Sequence, residues 1–391
     1  MKSFQADYIF PVSSVPIKNG TVTVDDAGKI IAVTPPETPL PVEFGPITKL
    51  QGVICPGFIN THCHLELSHL KDKIEKGTGL VNFIRNVQKH RNASKSEMLD
   101  AANKANDDMY TNGIVAVGDI SNSNLSIEVK NNSKIFYHTF IELFGFLPAR
   151  AEEIFANGLA LLKEFKPLRS SITPHAPYSV SKELFKLIKT HADSGHNPIS
   201  MHNQEFEDEN KFFRYRTGSL IDLYESFGMD ISHFKAQARN SIQSVTPLLT
   251  NQQQILLVHN TFTNLKDIYF IKRFDRMISW CFCPNANLYI ENTIPKVELF
   301  IGQGHNITLG TDSLASNNKL CILNEMLTIQ QRVPTVNIAT LLEWATINGA
   351  RYLDIEDEKG SLEPGKTPGL NLITDLDGLN LTADTKVKRL I

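Results

Sequence analysis

The sequence predicts an α/β fold: a (β/α)8 barrel of the TIM type with a small β-sandwich formed by the N- and C-terminal segments. Three observations predict it. From residue 53 onward short apolar strands alternate with longer helical stretches, the alternation recurs eight times, and both chain ends read as β-structure alone.

Residues 1–52 carry short β-branched runs at Tyr8–Ile9, Thr21–Val24 and Ile30–Val33. Asn19-Gly20, Asp26-Ala27-Gly28 and the proline-rich loop 35–46 separate them. The barrel is expected over 53–358. Its strands are expected at Val53–Asn60, Gly113–Val117, Lys134–Phe140, Ser170–Thr173, Pro198–Met201, Gln254–Val258, Met277–Phe282 and Ile307–Leu309. Helices are expected at Ser94–Thr111, Ala151–Phe165, Ser181–Ser194, Leu265–Arg273, Leu320–Arg332 and Val336–Leu353. Extra helices are expected inside the long segment 204–253. Residues 359–391 return to β character and complete the sandwich.

Composition bounds the function. With 41% hydrophobic and 21% charged residues, the 391-residue chain is an ordinary globular one. A net charge of -3 argues against a nucleic-acid partner, which favours a basic face. No apolar run approaches the ~18–20 residues that span a bilayer, and the N-terminal stretch lacks the apolar core of a signal peptide. Five cysteines form no paired framework, so reduced thiols and a cytoplasmic location are expected. Cys281-x-Cys283 could be metal-binding. Two small buried side chains flanking Phe282 in an apolar strand is the preferred reading.

In a barrel of this kind, chemistry sits at the C-terminal ends of the strands. Those ends read His62/His64, Asp119, Glu142, His175, His202/Glu205, His259, Asn285/Asn287 and Asp312. His62 and His64 would share one face of their strand, with Cys63 on the other. Two imidazoles so placed make half of a tetrahedral, zinc-type site.

One motif misleads. Gly360-Ser361-Leu362-Glu363-Pro364-Gly365-Lys366-Thr367 fits the phosphate-loop pattern, yet an acidic stretch precedes it and Pro368-Gly369 follows. A phosphate cradle needs a strand before it and a helix N-terminus after it. A turn entering the tail's β-structure is expected instead. A serine-nucleophile elbow, an H-E-x-x-H helix and a P-C-x-x-C zinc pair are all missing.

Four ordered stretches carry a resemblance: Pro56–His64, Met201-His202-Asn203-Gln204-Glu205, Val258-His259-Asn260-Thr261 and Leu309-Gly310-Thr311-Asp312-Ser313. Together they resemble the amidohydrolase superfamily, in its cytosine-deaminase-like and chlorohydrolase-like branch, with adenosine-derivative deaminases most similar. The likeness extends over nearly the whole chain, including Gly360–Lys366, which resembles that family's entry into its C-terminal β-domain. It implies one divalent metal ion, zinc or else iron or manganese, held by His62, His64, His202 and Asp312. It also implies catalytic roles for Glu205, His259 and Asp312. The fourth strand ends without the lysine of two-metal members, which favours one ion. His175, in a Pro-His-Ala-Pro-Tyr-Ser element, is carried over as substrate-binding. Glu66 and Asn287 are candidate substrate contacts, each with a structural alternative, while Glu142 and Arg214 have no assigned role.

The expected reaction follows. A bound divalent ion lowers the pKa of its water to about 7, and the hydroxide attacks an sp2 carbon bearing an exocyclic amine, as in an aminopurine or a modified adenosine. Glu205 shuttles a proton to the ring nitrogen, His259 steadies the developing charge, and Asp312 helps pass a proton to departing ammonia. At Glu205 a solvated acidic face competes, because Glu207, Asp208 and Glu209 follow. Hydrolysis of another C–N bond, in a cyclic amide or N-acyl amino acid, or of a chlorotriazine C–Cl bond is the alternative chemistry. A non-catalytic scaffold is more distant, because such relatives lose ligands and this chain keeps them. The partners expected are a small-molecule substrate and a second copy in a homodimer.

Overall fold

The expected parallel strands form, and most extend toward the ends that carry polar residues. In the computed structural model, which describes residues 1–274, 276–304 and 306–391, they are β1 (Phe58–Cys63), β2 (Ile114–Ser121), β3 (Phe136–Leu143), β4 (Arg169–Pro174), β5 (Ile199–Asn203), β6 (Gln254–His259), β7 (Met277–Phe282) and β8 (Asn306–Leu309). Their residues are mostly β-branched, aromatic or small, as a pleated surface covered on both faces requires.

The eight strands are hydrogen-bonded as two four-stranded parallel sheets, β1–β4 and β5–β8, and not as one continuous ladder. Polar side chains supplement a few backbone bonds at both seams, among them His202 N–H to His175 O and Thr311 N–H to His62 O. Between β4 and β5, the amide N–H of Ser200 donates to Thr173 Oγ1 at 2.9 Å, and that hydroxyl donates to the carbonyl of Ser200. Asn197 joins the same seam, accepting from Ile172 N at 2.8 Å and donating to Ile172 O at 2.9 Å. Between β8 and β1, Thr61 Oγ1 meets Thr308 Oγ1 at 2.8 Å, and Asn60 donates to Thr311 Oγ1 at 2.7 Å. A single parallel bridge, Cys63 to Asp312, completes that seam.

The sheets face each other across an apolar interior. Ile59, Ala116, Ile120 and Phe140 of the first sheet share one buried cluster with Leu256, Val258 and Cys281 of the second. Tyr352 and Leu353 join it, with the Tyr352 ring stacked 6.1 Å from Phe140. The opposite strand faces pack under helices such as Lys95–Thr111, Ala151–Glu164 and Lys182–Ala192. Ser94 and Ser181 cap the first and third of these through their hydroxyls.

Two expectations need correction. The run Val53–Asn60 is not one strand: it divides at Gly57, and Val53–Pro56 leaves the parallel sheet to pair with Leu370–Ile373 and Tyr8–Ile9. Gly57 permits the crossing, since a Cβ there would lie 2.2 Å from Val115 Cγ1. Likewise Val336–Leu353 breaks at Thr346 into helices Ile338–Ala345 and Ile347–Tyr352.

The chain ends build a four-stranded and a five-stranded sheet. Val22, Val24 and Ile30 of one share a buried cluster with Ile9, Ile54, Leu370 and Leu372 of the other. The phosphate-loop look-alike lies here as a turn. Its Gly365 N–H donates to Ile30 O at 2.9 Å, Lys366 Nζ is held by Glu363 at 2.6 Å, and strand Leu370–Thr374 follows.

Candidate metal and active site

Strand alternation places the His62 and His64 side chains together, and their Nε2 atoms stand 3.2 Å apart. His64 Nε2 is 3.3 Å from His202 Nε2, at the end of β5. Asp312, just past β8, brings Oδ1 to 3.4 Å from His64 Nε2 and 3.7 Å from His62 Nε2. Gly310 makes that approach possible, because a Cβ at this position would meet Cys281 Sγ at 2.8 Å and His62 Cβ at 2.9 Å. All four side chains are buried.

Their far sides fix their orientation. His202 Nδ1 donates to the carbonyl of His175 at 3.0 Å, which leaves Nε2 with its lone pair facing the cluster. Asp312 Oδ2 accepts from Ser316 Oγ at 2.5 Å, so Oδ1 turns inward. Burial and neighbouring imidazoles hold His62 well below the ordinary histidine range, and burial with His175 holds His202 at about 4. The rings are therefore neutral at pH 7. Neutral nitrogens 3.2–3.3 Å apart at His62, His64 and His202, with the Asp312 oxygen facing the first two, have the donor types of a divalent cation site. The residues present fit such an ion.

Beside this cluster lie two further groups. His259 ends β6 with its ring 5.4 Å from that of His202, and its Nε2 is 3.6 Å from Glu205 Oε1. Glu205 is buried, and burial, together with the nearby Asp312 charge, pushes its carboxyl well above the usual range. Four left-handed non-glycine residues lie here: Gln204, His259, Asn260 and Asp312 have φ of 45°, 71°, 60° and 56°. These are left-handed conformations that non-glycine residues rarely adopt and that gather at functional sites.

The family model for the amidohydrolase family matches residues 53–388. The chain belongs to the amidohydrolase family. Among its relatives, an adenosine deaminase of Helicobacter pylori is 25% identical over 326 residues, 82% of this chain and 78% of the relative. A 5-methylthioadenosine/S-adenosylhomocysteine deaminase of Teredinibacter turnerae is 24% identical, covering 84% of this chain and 73% of its own. Among solved structures, Helicobacter pylori aminofutalosine deaminase in complex with methylthio-coformycin superposes with a TM-score of 0.81 at 21% identity over 100% of both chains. A zinc-bound adenosine deaminase from Xanthomonas campestris gives 0.74 at 22%, covering 96% of this chain and 85% of the other. These two likenesses speak to the fold.

In this amidohydrolase the remaining strand-end residues separate into those that face the cluster and those that support it. His175 stays beside the ligands, its ring 4.8 Å from that of His202 and its Nδ1 2.6 Å from Ser179 Oγ. Glu66 is buried and turned toward the loop after β2, where Oε1 accepts from Asn122 N at 3.0 Å and Oε2 from Ser123 Oγ at 2.9 Å. Burial raises its carboxyl to about 7. Asn287 stands behind His259, donating to its Nδ1 at 3.2 Å and to Thr261 Oγ1 at 2.9 Å. Asn285 is occupied by Thr328 and Glu325. Arg214 reaches Asn240 and its own neighbour's ring, Tyr215.

Asp119 lies outside the cluster. It pairs with Lys130 at 2.6 Å, both fully buried, and accepts from Leu65 N at 2.8 Å, which fixes the turn just after His64. Glu142, like Arg214, is a group whose role the sequence leaves open. Its Oε1 lies 3.4 Å from His202 Nδ1, and Oε2 accepts from Asn122 Nδ2 at 3.1 Å. Its position at the end of β3 was the signal for it. Cys281 and Cys283 are buried with sulfurs 3.9 Å apart, and burial raises the Cys283 thiol well above its usual range. Neither belongs to a ligand group among the described residues.

Proposed function

We propose that the protein is a metal-dependent aminohydrolase that replaces the exocyclic amine of an aminopurine-type ring, in an adenosine derivative, with oxygen and releases ammonia. The convergence of His62, His64, His202 and Asp312 beside the Glu205–His259 pair carries this reading. A divalent ion held by the four supplies an acidified water at neutral pH. Zinc suits three imidazoles and a carboxylate, with iron or manganese as substitutes. A single ion is favoured because β4 ends in Thr173-Pro174-His175, with no lysine to bridge a second.

The protons are handled by the chain's own groups. Glu205 takes a proton from the attacking water and gives it to the ring nitrogen beside the reacting carbon; burial, which raises its carboxyl well above the usual range, favours the protonated form between the two transfers. His259, accepting from Asn287 at Nδ1, presents Nε2–H to the attacking oxygen and steadies its charge. Asp312 relays the second proton to the amine as the C–N bond breaks. Water and the amine become a ring carbonyl and ammonia, with no redox partner needed. His175 contacts the substrate. Glu66 contributes on the same side through the loop it holds.

The finer architecture belongs to the same proposal. Residues 53–358 form a closed (β/α)8 barrel whose two seams are clasped by side chains. Residues 1–52 and 359–391 form one β-sandwich that Val53–Pro56 joins. The family resemblance suggests a homodimer, and five free cysteines suit the cytoplasm.

The test is ammonia release by the zinc- or manganese-loaded protein across aminated purines, pyrimidines, pterins and 5′-modified adenosines. Release from the adenosine subgroup is expected. Silence across the panel with metal bound would contradict deamination and redirect the search to cyclic amides.

A further inference from the structure

A second group of buried polar side chains fills the space behind the Glu205–His259 pair, between the ends of β5 and β6. Its centre is Asp267, in the first turn of helix Leu265–Ile271 and fully buried. Asp267 Oδ2 accepts from Gln204 Nε2 at 3.1 Å, Asn240 Nδ2 at 2.9 Å and Asn264 N at 3.2 Å, and Oδ1 accepts from Gln243 Nε2 at 2.6 Å. A helix cap needs only the Asn264 contact. The three carboxamide donors come from other segments and serve another purpose.

That purpose is visible in what they hold. Gln204 immediately precedes Glu205 and takes φ 45°. Its carboxamide is tied at both ends, donating to Asp267 and Asn210 (2.9 Å) and accepting from Thr263 Oγ1 at 2.6 Å. Asn203 donates to Asn260 Oδ1 at 2.9 Å, and the backbone N–H groups of Asn260 and Phe262 donate to the carbonyls of Asn203 and Gln204 at 3.0 and 2.9 Å. Asn260 follows His259, and both are left-handed. The stretches that carry the pair, residues 203–204 and 260–263, are thus fastened to one another, and the Gln204 turn is fastened to Asp267. Strained conformations persist only where the surroundings over-determine them.

We propose that Asp267 is the positioning residue that sets the separation of Glu205 from His259, acting through Gln204; this rests on the reading of Glu205 as the proton carrier. Without its carboxylate, Gln204 Nε2 loses an acceptor and the turn relaxes toward ordinary backbone geometry, carrying Glu205 away from the reacting atoms. A displacement of about 1 Å costs on the order of a hundredfold in rate.

Asp267→Asn keeps the shape and turns one acceptor into a donor facing donors. Gln204→Met, which cuts the link and leaves Asp267 in place, serves if that variant fails to fold. Steady-state ammonia release and metal content are measured for each, alone and combined with Glu205→Gln. The expected result is a kcat lower by at least about tenfold, KM within about twofold and full metal content. On the Glu205→Gln background the same change should lower the residual rate by less than about twofold, because its effect passes through a carboxylate already removed. Full kcat in the folded single variants would overturn the inference, as would an equal loss on both backgrounds, the mark of general destabilisation. If Glu205→Gln itself remains fully active, the proton-carrier reading fails; if it is inactive while Asp267→Asn is not, only this inference fails.

Discussion

Glu142 Oε1 faces His202 Nδ1 at 3.4 Å and has no hydrogen-bond partner among the described residues. With the His175 carbonyl, it backs a ring whose other nitrogen faces the ligand cluster. In the proposed site a carboxylate this close raises the basicity of the imidazole, and loss of such a neighbour costs about 10–100-fold in metal affinity. Glu142→Gln is expected to weaken zinc binding by that factor in chelator competition while the fold is kept; unchanged affinity would remove Glu142 from the site. At this scale the clustering of His62, His64, His202 and Asp312 was legible in the sequence, because histidines at strand ends and an aspartate after Gly310-Thr311 mark one rim. The supporting groups were less so. Asn287, a candidate substrate contact with a structural alternative, donates to His259 Nδ1, and Glu66 spends both oxygens on Asn122 and Ser123. A residue type at a strand end says which rim it occupies. Direction depends on the next turn, which local sequence does not specify.

The strands show the same division. Hydrophobic runs located all eight, and the histidine-bearing ends emerged where alternation put them. The seams between the two sheets were not legible, since Thr61, Thr173 and Asn197 look like ordinary strand or loop residues until their partners in distant segments are known. Near the β4–β5 seam, His138 on β3 is buried, bonds Ser171 Oγ at 2.9 Å and is held at about 3 by burial. Folding keeps this ring neutral, whereas the unfolded chain protonates it below its ordinary value near 6.5. The unfolded state then binds more protons, so stability is complete above that value and falls as pH drops toward 3. Between pH 7 and pH 5 the loss from this residue is about 2 kcal/mol. In paired thermal melts, His138→Gln should lose less stability over that interval than the parent. An identical pH dependence would mean the ring is free to charge in the folded protein.

For the whole molecule, the proposed ligand set would tie the two sheets together. His62 and His64 belong to the first sheet, while His202 and Asp312 extend from the second. An ion bound to the folded chain at 100 times its Kd adds about 2.7 kcal/mol. Stripping it with a chelator should lower Tm by several degrees, and zinc should restore it. A Tm indifferent to both would argue against a site that spans the sheets. The mixed α/β character and the eight parallel strands were legible because strand–helix alternation is a long-range pattern repeated eight times. The crossing at Gly57 was not, because one uninterrupted apolar run serves two sheets.

The most direct measurement compares the parent protein and Glu205→Gln, both zinc-loaded to the same content, for ammonia release from the best adenosine derivative. The expected result is equal metal and a kcat lower by about a hundredfold or more in the variant. Equal rates at equal metal content would contradict the assignment of Glu205 and, with it, the proposed route of the proton to the ring.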